Sequence, residues 1–206
     1  YLSKNYDLMK TSVFVGYQLT CIGDDRTYSY VPSRNGDTYS DKIALHTLKH
    51  IDPNFKHYTW LDRGSDERQY CSPGIDLPLS SMMRSKYGEY PEYHTSKDNL
   101  IDVVTPSGLE GGFEMYKKAL LVIENNCFYR CTTFCEPQMG RRNLYPNLSY
   151  KNSANSVKLT MDVLSLCDGT TSSLEIAEIL NVPFWDLLET FETLHSSELI
   201  MKKEKI

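Results

Sequence analysis

Apolar and polar positions divide the chain into a front stretch, where short apolar runs alternate with helical periods, and a tail where the helical period takes over. Thr11 to Ile22 (TSVFVGYQLTCI) is a nearly continuous apolar and β-branched run closed by Gly23-Asp24-Asp25, the pattern of a strand buried on both faces. The opening, YLSKNYDLMK, reads as the end of a helix. Thr27 to Val31 predicts a second short strand, ended by Pro32-Ser33-Arg34-Asn35-Gly36. Asp37 to Lys49, with Ile43, Leu45 and Leu48 among polar residues, predicts a helix. Phe55 to Leu61 alternates like a strand, Asp62 to Asp66 is a loop, and Leu77 to Arg84 is again strand-like before Tyr87 to Tyr93. Leu109 to Glu124 is an amphipathic helix with Phe113, Tyr116, Leu120 and Ile123 at spacings of three and four. Strands alternating with helices in this order predict an α/β sheet domain.

Asn125 to Ser153 has Pro137, Pro146, several Asn and the Arg141-Arg142 pair, without a sustained period, and reads as a linker. The tail then predicts a helix over Ala154 to Leu166 with Val157, Met161 and Leu164 on one face. A second helix over Ser172 to Leu180 opens with the capping box Ser172-x-x-Glu175. After Asn181-Val182-Pro183, the residues Phe184, Leu187, Leu188, Phe191 and Leu194 stripe a third helix, and Leu199 to Lys203 forms a short strand. That order is the order of a winged helix-turn-helix. The expected organisation is therefore an α/β domain over 1–150, including the linker 125–150, and a winged-helix-like domain over 151–206.

Charge decides what such a tail can bind. A recognition helix needs Lys or Arg near phosphates, yet Asp186, Glu189 and Glu192 lie on the third helix and Glu175 and Glu178 on the one before it. No Lys or Arg occurs between Lys158 and Lys202, and the whole chain of 206 residues carries a net charge of −5. Nucleic acid is therefore not an expected partner, and a packing or protein-contact role is. No apolar run approaches the roughly 20 residues that cross a bilayer, and no secretory leader is present, so a cytoplasmic protein without membrane contact is expected. Of the 6 Cys, only Cys127, Cys131 and Cys135 cluster, without the paired spacing or nearby His of a zinc ribbon, and reduced thiols are expected.

Three stretches place polar residues where an α/β sheet presents them to a ligand, at strand ends. These are Gly23-Asp24-Asp25, then Gly64-Ser65-Asp66-Glu67-Arg68 with Gly74-Ile75-Asp76-Leu77-Pro78 beyond it, and Glu92-Tyr93-His94-Thr95-Ser96-Lys97-Asp98. Each has a plain structural explanation. Gly-Asp-Asp is a common turn, Ser-Asp-Glu-Arg can be a local ion pair, and Thr95 with Asp98 fits a capping box that puts His94 just ahead of a helix.

The segment His94-Thr95-Ser96-Lys97-Asp98 resembles the last metal-ligand motif of the co-catalytic zinc aminopeptidase superfamily, and Gly64 to Pro78 is similar to its Ser-Asp loop and following strand. DERQYCSPGIDLP, YPEYHTSKDNL and EPQMGRRNLYP, in that order, resemble a bacterial aminopeptidase-like family with a winged-helix-like module, over about Val13 to Ile206. The resemblance implies part of a mixed sheet with flanking helices. It implies His94 as a zinc ligand and Asp24, or Asp25 beside it, as a ligand to the second of two zinc ions. Asp66, Glu67 and Arg68 match the motif without being assigned as ligands, and stand behind the ligands or on the substrate side. Asp98 either supports His94 or caps a helix.

The implied activity is removal of an N-terminal amino acid or cleavage of a related amide, on a peptide or aminoacyl small-molecule substrate, with a Glu as general base. That Glu, a first His and a bridging Asp belong upstream of the strand leading to Asp24. Tyr1 to Ser12 holds none of them, so the chain is expected to be incomplete and inactive alone. Two other readings stand beside this one. The first is an aminoacyl cyclase or amidohydrolase of cell-surface sugar precursors on the same fold. The second is a non-catalytic interaction module on a degenerate peptidase fold. Self-association into a homo-oligomer stays open.

Overall fold

Helix α1 (Leu2–Ser12) takes in the helical opening and also the first two residues of the long apolar run. The Thr11 hydroxyl bonds back to the Asp7 carbonyl at 2.8 Å, which continues the helix through a residue the apolar pattern assigned to a strand. What remains of that strand is β1 (Gly16–Gln18), half-buried, with Phe14 and Leu19 each 60% exposed on either side. The expectation of a strand buried on both faces from Thr11 to Ile22 is thus corrected. This computed structural model describes residues 1–142 and 153–203, and the chain forms two compact units, 1–120 and 121–206.

In the first unit, β2 (Ser29–Val31) is wholly buried and β4 (Leu79–Met83) nearly so. The sheet order is β1-β4-β2-β3, where β3 is only Lys56–His57. β1 runs parallel to β4, β2 antiparallel to β4, and β3 parallel to β2, which makes the sheet mixed. The alternation over Phe55 to Leu61 gives two strand residues and then a 3₁₀ turn, Trp60–Asp62, because the Asp62 carboxylate caps the Thr59 N–H at 2.8 Å.

Helix α2 (Tyr39–Ile51) packs on β4 and begins with a capping box between Thr38 and Asp41. Asp41 is fully buried, and its carboxylate gathers five donors from β2, the following turn and the helix start. These are the Tyr30 hydroxyl at 2.6 Å, the Ser33 N–H at 2.8 Å and hydroxyl at 2.5 Å, and the Thr38 N–H at 2.9 Å and hydroxyl at 2.6 Å. Burial beside this carboxylate raises the Tyr30 phenol far above its ordinary range.

Helix α4 (Pro106–Asn125) follows the short α3 (Glu67–Tyr70) and β4, and extends the expected helix by a turn. Its buried side is Gly108, Gly112, Met115, Tyr116 and Ala119. The glycines let the helix lie on the chain that leaves β1: a Cβ at Gly108 would stand 2.0 Å from the Gly23 carbonyl oxygen, and one at Gly112 would stand 2.3 Å from that of Ile22. The Tyr116 hydroxyl reaches the Met82 carbonyl at 2.6 Å and the Gln18 carbonyl at 2.9 Å, where β1 and β4 part. The stripe expected to face the core is different. Phe113 and Leu120 are 64% and 54% exposed, because the small residues beside them win the close approach.

In the second unit, β5 (Phe128–Cys131) lies inside the stretch read as a linker. It pairs antiparallel with both β6 (Asp168–Ser172) and β7 (Ile200–Lys202), so it is the middle strand of three. The compact units therefore divide at 120/121, and not near 150. Residues 143–152, which include the end of EPQMGRRNLYP and much of the remaining linker, lie outside the described residues.

Helices α5 (Ser153–Leu166), α6 (Ser173–Leu180) and α7 (Phe184–Ser196) match the expected three. Ser172 and Glu175 form the expected capping box, with the Ser172 N–H donating to the Glu175 carboxylate at 2.8 Å. Asn181 turns the chain in a left-handed conformation, φ 52°, before α7 buries Phe184, Leu187, Phe191 and Leu194. Tyr129 of β5 stacks on Phe191 with ring centroids 4.9 Å apart. This is a winged helix-turn-helix, and Asp186, Glu189 and Glu192 are exposed on α7. Strand β6 was hidden in sequence because Asp168-Gly169-Thr170 reads as a turn. The Asp168 carboxylate does bond the Thr170 and Thr171 N–H groups, at 2.6 and 2.8 Å, which pulls its pKa down to about 2.

All six cysteines are free thiols. Burial pushes the Cys167 thiol up to about 12, which leaves on the order of one thiolate in ten thousand at pH 8. Cys135 is exposed. Timed alkylation of the native chain, read by peptide mass spectrometry, is expected to label Cys135 first and Cys167 last. Equal rates would show that this strand end does not stay closed.

Candidate functional site

Parallel β1 and β4 end on the same side of the sheet, and the chain leaving each supplies the residues that sequence reading singled out. The two exits stay joined by the Arg84 N–H, which donates to the Cys21 carbonyl at 2.8 Å. One step further, Asp24 is 4% exposed and both of its carboxylate oxygens accept hydrogen bonds. Its oxygens accept the Ser85 N–H at 2.8 Å, the Ser85 hydroxyl at 2.6 Å and the Arg26 N–H at 3.1 Å. The Asp24 carbonyl accepts the Arg84 guanidinium at 2.7 Å, and that guanidinium lies 3.8 Å above the Tyr28 ring. In this structure Asp24 closes a turn between two strand exits, with both oxygens hydrogen-bonded. Asp25 is exposed and accepts the Thr105 and Ser107 hydroxyls, each at 2.9 Å, which lowers its pKa.

Glu67, in contrast, is completely buried. One oxygen accepts the Gly64 N–H at 2.7 Å, the Ser65 N–H at 2.9 Å and the Tyr87 hydroxyl at 2.7 Å. Its other oxygen has no hydrogen-bond partner among the described residues. Burial, with the Glu67 carboxylate next, raises the Tyr87 phenol well above its ordinary range. Asp66, which precedes α3 as its N-cap, and Arg68 on the helix flank Glu67 and are exposed; the Arg68 guanidinium bonds the Ser65 carbonyl at 3.1 Å.

His94 lies in a run of turns, not at a helix start, and the next helix begins only at Pro106. Thr95 turns back to the Glu92 carbonyl at 2.7 Å instead of capping a helix with Asp98. Asp98 accepts the Tyr90 hydroxyl at 3.0 Å. The His94 backbone is left-handed, φ 59°, and its exposed ring stacks on Tyr93 with centroids 3.9 Å apart. Tyr93 packs against the cluster of Val31, Met83 and Tyr87, where Cys21 and Tyr58 also pack. A continuous set of contacts therefore runs from Glu67 through Tyr87 and Tyr93 to His94. Arg26 and Glu92 form a bidentate ion pair at 2.9 and 3.1 Å that fastens this loop to the Asp24 turn.

The structure thus brings Asp24, Glu67, His94 and Asp98 to one end of the sheet, and leaves Asp66 and Arg68 at its rim. Among the described residues, neither His94 nor Asp24 belongs to a group of three or more His, Cys, Asp or Glu whose ligand atoms lie within 4.8 Å of one another. Sequence reading passed over Ser85, Tyr87 and Tyr90, the groups that hold the predicted residues in place. The available signal was Arg84-Ser85-Lys86-Tyr87 directly following a strand: all four are buried, and a charged run there implies partners.

Relatives place the chain in a family. A protein of Clostridium acetobutylicum, provisionally named a polysaccharide biosynthesis protein with an aminopeptidase-like domain, is 35% identical over 202 residues, 97% of this chain but 46% of the relative. A crystal structure of a protein from Clostridium acetobutylicum, provisionally titled a peptidase, superposes with a TM-score of 0.85 at 33% identity, covering 98% of this chain and 44% of that one. The chain spans under half the length of these relatives. Residues 127–202 match a winged helix-turn-helix family. Residues 1–126 match the family described as domain of unknown function DUF4910, and the chain belongs to that family.

Proposed function

We propose that this chain is part of a zinc-dependent, aminopeptidase-like hydrolase that removes an N-terminal amino acid or cleaves a related amide, with His94 as a zinc ligand. The observation that carries the reading is the state of His94. A non-glycine residue in the left-handed region is uncommon, and functional positions are among the places where it occurs. Here it turns an imidazole to the exterior, while Tyr93 beneath it and the Arg26–Glu92 pair beside it hold its backbone. Relatives with peptidase and aminopeptidase-like names support the reaction class.

Asp24, whose carboxylate is held by the Ser85 N–H and hydroxyl and the Arg26 N–H, is not carried forward as a ligand in this reading. The remaining donors and the general base lie outside these 206 residues in this reading, and no catalytic step is assigned to the residues described. The winged helix-turn-helix, with its acidic α7, is read as a protein-contact module without a nucleic-acid partner.

Zinc content tests the assignment. A polypeptide of the relatives' length is expected to keep about two zinc ions after dialysis, and to lose metal and aminoacyl-anilide hydrolysis together on His94→Ala. The 206-residue chain alone is expected to keep well under one. A long form without zinc, or one indifferent to His94→Ala, would defeat the proposal. The name of the first relative favours a second substrate class, aminoacyl or acyl amides on sugar precursors. Comparing peptide with amino-sugar amide substrates separates the two.

A further inference from the structure

We infer that the open edge of β1 and the bare apolar face of α4 are one docking surface, and that its occupant is a strand-bearing polypeptide segment equivalent to the part of the Clostridium relative outside the match.

The two edges of the first sheet are built differently. β3, at one edge, is two exposed residues, Lys56 and His57, preceded by Pro53 and Asn54. Short length, a lysine and a nearby proline are the means by which proteins keep an edge from pairing. β1, at the other edge, has none of them. It is Gly16-Tyr17-Gln18 between Val13-Phe14-Val15 and Leu19, and among the described residues its one strand partner is β4. Its pairing with β4 is parallel, an arrangement normally covered on both faces. Phe14 and Leu19 are nevertheless each 60% exposed.

Helix α4 repeats the pattern. Leu109, Phe113 and Leu120 fall within roughly 40° of one another on a helix advancing about 100° per residue. They are 47%, 64% and 54% exposed. This face is separate from the Gly108, Gly112, Met115 and Ala119 side that packs on the chain leaving β1. A helix with two apolar faces has two neighbours, and the structure supplies one. The two bare features adjoin: a Cβ on Gly23, just past β1, would meet Leu109 at 3.2 Å, and Tyr17 of β1 packs edge-on to Tyr116 at 5.9 Å. Helix α1 adds Leu8, 64% exposed, and buries no residue of its own.

The identity of the occupant comes from length. The fold of this chain recurs, with a TM-score of 0.85 over 98% of it, inside a chain of which it covers only 44%. The larger part of that chain lies outside the match and is joined covalently to it, and an apolar face beside an open strand edge is the surface that gains most from being covered by it.

The test is co-production of the tagged 206-residue chain with the unmatched part of the Clostridium relative. A 1:1 complex is expected, with slowed amide exchange over Val13 to Leu19 and Leu109 to Leu120. The double change Phe113→Glu with Leu120→Glu is expected to weaken the complex by roughly tenfold or more. Phe134→Glu, at a fully exposed aromatic of the second unit, is expected to leave it intact. In the intact Clostridium relative, glutamates at the positions aligned with Phe113 and Leu120 are expected to lower the unfolding midpoint, whereas this chain alone tolerates them. A complex indifferent to the double change overturns the inference, as does an intact relative that tolerates the glutamates. Self-association of this chain that is lost on the double change overturns it too, in favour of a second copy.

Discussion

Asp41→Ala is expected to lower the stability of the first unit by about 4 kcal/mol, the largest effect of any single side-chain truncation considered. Asp41 is fully buried and accepts from Tyr30, Ser33 and Thr38, five donors in all. Alanine removes every acceptor and leaves the Tyr30 and Ser33 donors buried without this partner, where an unpaired polar group is costly. It also takes a negative charge from the first turn of α2, where the helix dipole favours one. Tyr30→Phe deletes one donor and keeps the carboxylate, so a loss of about 1 kcal/mol is expected. Trp60 and Trp185 fall in different units, so urea unfolding followed by Trp60 fluorescence in a Trp185→Phe background isolates the first unit. A loss within about 1 kcal/mol for Asp41→Ala would show that the network relaxes around the gap.

Gly108→Ala is the second large effect, and intrinsic propensity gives it the opposite sign. In an exposed helix interior the change gains up to about 1 kcal/mol. Here the new Cβ would sit 2.0 Å from the Gly23 carbonyl oxygen and 2.6 Å from the Asp24 carbonyl carbon, both backbone atoms. Either the helix or the turn must move, at about 3 kcal/mol or more, so the clash outweighs the propensity. Gly111→Ala is the control. Its Cβ meets the ends of flexible side chains, the Arg84 guanidinium and the Tyr28 hydroxyl, each at 2.7 Å, and a smaller loss is expected. Unfolding midpoints for the two variants decide the matter, and a Gly108→Ala chain as stable as its parent would refute the close approach.

Both positions show where the sequence was legible. Helix α2 was readable from its period, and Thr38-x-x-Asp41 carries the form of a cap. What periodicity cannot express is that Tyr30 and Ser33, eight and more residues away, use the same carboxylate. Helix α4 was readable as a helix, yet its core face was misassigned, because apolar size was taken to mark the buried side. Glycines pack more closely than leucines, and only the structure shows what they approach. At the site, the right segments were named but with incomplete roles. Asp24 looks the same in sequence whether its carboxylate meets a metal or Ser85. Strand β5 was missed because Phe128-Tyr129-Arg130-Cys131 is too short to carry a period, and both of its partners lie more than thirty residues away in the chain.

The ion pair between Arg26 and Glu92 bears on affinity through entropy. From Tyr87 to Thr105 the chain has no helix or strand, and a free loop of that length would let its middle wander. The clasp falls two residues from His94, dividing the loop so that the imidazole rides on a short tethered arc. As an exposed pair it adds little to stability, about 1 kcal/mol or less. Its larger effect is that most of the ordering of His94 is already complete when the chain folds. A ligand that reaches the imidazole then keeps more of its interaction energy as binding, since little remains to be immobilised.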